Sequence, residues 1–98
     1  MGTTARRGAN VVASVLRIVG TVIVAILVVY IVLVLLDANP ANTFAMWIRD
    51  LAEYFNLGLA NLFVPANPKI GVTLNYGVAA IIWYAITVVA VRLVRRIG

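Results

Sequence analysis

No charged residue occurs between Ile18 and Leu36, and none between Ile70 and Val91. Two such runs decide most of what this chain can become. As helices they would extend about 28 Å and about 33 Å at ~1.5 Å per residue, close to the ~30 Å hydrocarbon thickness of a bilayer. Both runs are rich in Val and Ile, which favour strands in water. A lone strand in lipid leaves its backbone unsatisfied, so helices are expected there. Composition agrees: 64% of the 98 residues are hydrophobic and 11% charged, where globular domains have roughly half and a quarter. The mean hydropathy is +1.08.

The segments around these runs divide the chain. Residues 1–10 form a polar, mobile leader, and 11–37 the first transmembrane helix, with Arg17 snorkelling to the headgroups. Its apolar run is longer than a signal peptide's ~7–15 residues, and Leu36-Asp37-Ala38-Asn39 lacks a small-residue cleavage pair, so it reads as an uncleaved anchor. The Asn39-Pro40 step disfavours helix and stops the first span. A connector occupies 38–69, the second transmembrane helix 70–91, and a basic tail 92–98. Asn67 followed by Pro68 is a good helix start, a side-chain cap with proline in the first position. The tripeptide Pro-Ala-Asn stands before a helix at both 40–42 and 65–67, which is ordinary start chemistry.

Charge sets the orientation. Arg6, Arg7 and Arg17 precede the first span and Arg92, Arg95 and Arg96 follow the second, while the connector carries only Arg49 and Lys69. Basic residues stay on the cytoplasmic side, so both termini are expected there, with the connector outside and the chain in a bacterial cytoplasmic membrane. The same arginines can engage anionic headgroups. Their position beside apolar runs argues against nucleic acid despite the net charge of +5.

Within the connector, Phe44, Ile48, Leu51, Phe55, Leu59 and Leu62 recur every three or four residues, tracing one helical face, with Trp47 beside it. Asn42, Arg49, Glu53 and Asn56 fall opposite, and Arg49 can pair with Glu53 one turn on. The spacing predicts an amphipathic helix over about 42–63, resting on the outer leaflet or against a partner subunit; Gly58 could bend it or end its first half. Aromatics cluster here, as they do at membrane interfaces.

On the second span, Thr73, Gly77, Ala80, Tyr84 and Thr87 form a small or polar stripe, and on the first, Ser14, Arg17, Thr21 and Ala25 make a shorter one. Small residues let helices approach closely in lipid, so packing of the spans into an antiparallel hairpin accounts for both stripes. Asn75 lies off the stripe and is a candidate interhelical polar contact.

Chemistry-bearing residues are scarce. The sequence holds no Cys and no His, which removes disulfides, thiol chemistry and Cys- or His-based zinc or haem sites. Its acidic residues, Asp37, Asp50 and Glu53, are scattered and none lies within a span. No nucleophile–base pair, phosphate loop or metal set is present, so no catalytic, cofactor or small-molecule site is expected.

The pattern Asn75-Tyr76-Gly77-Val78-Ala79-Ala80 with Trp83 and an Arg-rich end, preceded by Asn39-Pro40-Ala41-Asn42 and Leu62-Phe63, resembles small two-span membrane proteins of high-GC Gram-positive bacteria. The order of span, amphipathic segment, Pro-rich turn and span is also similar to the YggT-type family, whose more basic connector is missing here. Neither resemblance implies an activity, and no functional residues carry over. The fold expected is an all-α membrane protein of two spanning helices and one interfacial helix. The leading functional expectation is a non-catalytic structural or accessory subunit, acting as a homo-oligomer or within a larger membrane complex. Rival expectations are a holin-like pore, disfavoured by the aliphatic face of the first helix beyond Ala25, and a lipid-organising scaffold.

Overall fold

The computed structural model describes residues 2–97, with side chains from Thr3 onward. All regular structure among them is helical: α1 (Gly2–Leu35), α2 (Thr43–Tyr54) and α3 (Pro68–Ile97). α1 and α3 are each long and apolar enough to cross a membrane.

The expected mobile leader is instead helical from Gly2 onward. Once the long apolar run has formed a helix, each added residue gains a hydrogen bond without a new nucleation cost, and the Thr-Ala-Arg leader has no residue that forbids it. The stop falls before Asn39-Pro40. Asp37 takes a left-handed backbone, φ 55°; the Ala38 N–H then donates to Leu33 C=O at 2.9 Å and the Asp37 N–H to Val34 C=O at 3.2 Å. This paired closure satisfies carbonyls that the helix end would orphan. Asn39-Pro40 builds the turn that follows, with Asn39 Oδ1 accepting the Ala41 N–H at 3.0 Å.

Both asparagine starts are present. The Asn42 side chain accepts from the Phe44 and Ala45 amides at the head of α2. Asn67 accepts the Lys69 N–H at 2.9 Å, with Pro68 in the first helical position of α3. α2 ends at Tyr54, well short of the expected Phe63. Leu57 and Gly58 both adopt positive φ, 59° and 74°, and Asn56 Oδ1 accepts the Gly58 N–H at 2.8 Å. Two consecutive left-handed residues cannot continue a right-handed helix. The chain then runs irregularly to Pro68. α3 continues through the basic tail, with Arg95 and Arg96 in its last turn, where cations complement the helix dipole.

α1 and α3 pack side by side, with partners in opposite chain order: Gly20 against Thr87, Tyr30 edge-on to Tyr76 at 4.9 Å, and Asp37 paired with Lys69 at 2.8 Å. The buried α1 residues Ala13, Gly20, Ile23 and Leu27, with half-buried Leu16 and Tyr30, repeat at alternating steps of three and four, the spacing of a coiled-coil seam. This is a different face from the Ser14, Arg17, Thr21 and Ala25 stripe, whose residues are all exposed. Close approach selects the face: Gly20 receives the Thr87 side chain, whereas Arg17 would put a guanidinium in the seam.

The core joins all three helices through Ile23, Leu27, Ala52, Tyr76, Ala79 and Ala80. Leu27 and Ala52 are fully buried. α2 therefore runs back along α1. Ala45 and Arg49 share a small cleft with Tyr30, Leu33 and Val34, and the Phe55 carbonyl accepts the Trp83 indole N–H at 2.8 Å. Trp83 lies roughly 22 Å along α3 from Pro68 at ~1.5 Å per residue, so the connector is folded onto the helix pair.

Candidate functional site

Three features stand out among the described residues: a clasp around Asn75, an open face on α3, and a cleft lined by arginine.

Asn75 is 3% exposed, the one buried polar side chain among the described residues. Its amide is fully used. Oδ1 accepts the Phe63 N–H at 2.7 Å, and Nδ2 donates to the carbonyls of Ala60 at 2.6 Å and Phe63 at 2.9 Å. A side-chain amide here replaces the partner that irregular backbone lacks. The expected polar contact of Asn75 is thus made to the chain's own connector, not to another helix. Nearby, Gly71 packs against the return loop: a Cβ there would sit 3.4 Å from Pro65, an ordinary contact. On the far side, Phe55 meets Trp83 edge-on at 5.9 Å.

The expected α3 stripe divides. Ala80 is buried in the core and Thr87 faces Gly20, its hydroxyl donating to Trp83 C=O at 2.7 Å. The Thr73 hydroxyl likewise donates to its own helix, at Lys69 C=O, 2.9 Å. Gly77 and Tyr84 turn outward. A Cβ on Gly77 would meet nothing within 4 Å, and Tyr84 is 64% exposed.

The connector face divides too. Ile48 is buried, and Phe55 and Leu59 are half-buried against the core, while Phe44, Trp47, Leu51 and Leu62 are exposed. The Arg49 guanidinium reaches Asp50 at 3.3 Å in place of the expected Glu53.

At the end of the pair that carries both termini, a cleft of about 370 Å³ opens between α1 and α3. Arg17 and Thr21 line it from α1, and Tyr84, Arg92 and Arg95 from α3. Arg6, Arg7 and Arg96 are exposed and do not line this cleft. No group of three His, Cys, Asp or Glu that could hold a metal occurs among the described residues.

Sequence reasoning passed over Gly20 and the Trp83–Phe55 pairing. Gly20 carried a signal, as the one glycine between Val11 and Leu36. Comparison with protein families, curated proteins and solved structures finds no match to this chain.

Proposed function

We propose that this chain is a two-span protein of a bacterial cytoplasmic membrane, its spanning helices an antiparallel hairpin with both termini cytoplasmic. It serves as a non-catalytic structural or accessory subunit. Exposure of the apolar helix surface supports the membrane placement. Val11, Ile18, Val22, Ile81 and Val89 are between 51% and 69% exposed, and only 17% of each long helix's most apolar window is buried. In water so large an apolar surface would drive association; in lipid it is already in its solvent. α2 and the return loop then form an extracytoplasmic cap sunk beside the hairpin. Trp47 and Tyr54 stand at its exposed interfacial side, where amphipathic rings settle.

The observation that carries the subunit reading is the empty space over Gly77. Glycine within a helix costs about 1 kcal/mol relative to alanine, and here no neighbour in the chain uses the room it leaves. With Tyr84 exposed on the same face, this surface suits a second helix approaching closely through backbone contact. The occupant is another copy or a partner subunit.

The test is the native mass after gentle detergent extraction, with every co-purifying chain identified. One species at an integer multiple of 10.6 kDa establishes self-assembly, and stoichiometric foreign chains establish an accessory role. Gly77→Leu is expected to insert normally yet weaken the association about tenfold, a loss of roughly 1.4 kcal/mol. A strictly monomeric wild type, or a Gly77→Leu particle of unchanged mass, contradicts the reading.

A further inference from the structure

We infer that the cleft between α1 and α3 rimmed by Arg17, Arg92 and Arg95 is a binding site for the phosphate headgroup of an anionic phospholipid. Three arginines from two helices line it. The ion pairs among the described residues are Arg49–Asp50 and Lys69–Asp37, and neither involves these three arginines. The acidic side chains, Asp37, Asp50 and Glu53, all follow α1, in the turn after it or in the connector. Gathering like charges is unfavourable unless an anion joins them, and guanidinium binds phosphate oxygens in a planar, two-pronged geometry.

The cleft is amphiphilic: beside the arginines its lining mixes the Thr21 and Tyr84 side chains with the apolar Val24, Val88 and Val91. The uncharged run of α1 begins at Ile18, immediately after Arg17, so the rim stands where hydrocarbon gives way to headgroups. A phosphate at the arginines therefore leaves an acyl chain to lie along the valines. Basic pockets between spanning helices on the cytoplasmic side suit such headgroups.

This inference rests on the membrane placement proposed above. The experiment uses the full chain in vesicles of equal parts zwitterionic phosphatidylcholine and an anionic phospholipid carrying two phosphates. Insertion is read first, by co-sedimentation resistant to high salt; a chain that fails to insert overturns the membrane reading itself. Detergent-extracted particles are then weighed by native mass spectrometry for retained lipid. The wild type is expected to retain the anionic lipid at least tenfold over the zwitterionic one. Arg17→Gln/Arg92→Gln/Arg95→Gln is expected to lose that preference, and Arg6→Gln/Arg7→Gln, equal in kind of charge removed but outside the cleft, to keep it. Because all three arginines are exposed, the triple variant retains the helix pair, checked by its circular dichroism. Equal retention by wild type and triple variant overturns the site, as does equal loss in the Arg6→Gln/Arg7→Gln variant. Displacement of the lipid by millimolar inorganic phosphate would make the ligand a free anion and overturn the lipid assignment.

Discussion

Placing isoleucine at Gly20 will part α1 from α3 around the Gly20–Thr87 contact. A Cβ at Gly20 would overlap the Thr87 side chain, with the Thr87 Cβ only 2.8 Å away. Overpacking a close contact costs about 1–3 kcal/mol, occasionally more. The loss here falls at the upper end if the pair lies in lipid as proposed, since there no hydrophobic effect holds the helices together once backbone approach is denied. Thermal unfolding in mild detergent, followed by circular dichroism, measures it. Even Gly20→Ala is expected to lower the midpoint, and Thr87→Gly in the same chain to restore most of it, because the knob has changed sides while the hole remains. A double-mutant cycle then gives a coupling of about 1–2 kcal/mol with a favourable sign. Additive effects of the two substitutions would show that Gly20 and Thr87 do not meet.

Replacing Asn75 with leucine will free the return loop while leaving the long helices formed. Three hydrogen bonds disappear, and the Phe63 N–H with the carbonyls of Ala60 and Phe63 lose their partners. A buried group left unsatisfied costs about 1–3 kcal/mol, so the clasp weakens by roughly 3 kcal/mol. Exchange of the Phe63 amide hydrogen should then accelerate about a hundredfold, while amides in the middle of α3 hold their rates. Asn75→Asp is expected to be at least as damaging. It keeps the acceptor but turns the donor pair into a charge facing two carbonyl oxygens. Unchanged exchange at Phe63 in both variants would show that something other than Asn75 holds the loop.

The two long helices could be read directly, because uncharged runs of bilayer length leave the backbone little alternative, and the Asn42 and Asn67-Pro68 starts follow from side-chain chemistry acting over two or three residues. The connector was harder. Its apolar period continues past Tyr54, and only the left-handed backbone at Leu57 and Gly58 shows that the helix does not. Period reports which residues share a face, not whether the chain keeps turning. The seam was missed for a related reason. Ser14, Arg17, Thr21 and Ala25 look like a packing stripe by polarity and size, but shape complementarity chose the face containing Gly20. Asn75 was visible as a buried amide in need of partners. That those partners are backbone groups twelve to fifteen residues earlier depends on the return loop, which has no period to read.

Everything proposed depends on the chain crossing a bilayer twice with its connector outside. Single cysteines decide this cleanly, since the sequence has none of its own. Cysteine would replace Thr3, Asn61 or Arg96 one at a time in intact cells, and each chain would be treated with a membrane-impermeant maleimide before and after permeabilisation. The account predicts immediate labelling at Asn61→Cys, and labelling of Thr3→Cys and Arg96→Cys only once the membrane is opened. Labelling of either terminal position in intact cells, or equal protection of all three, would contradict it.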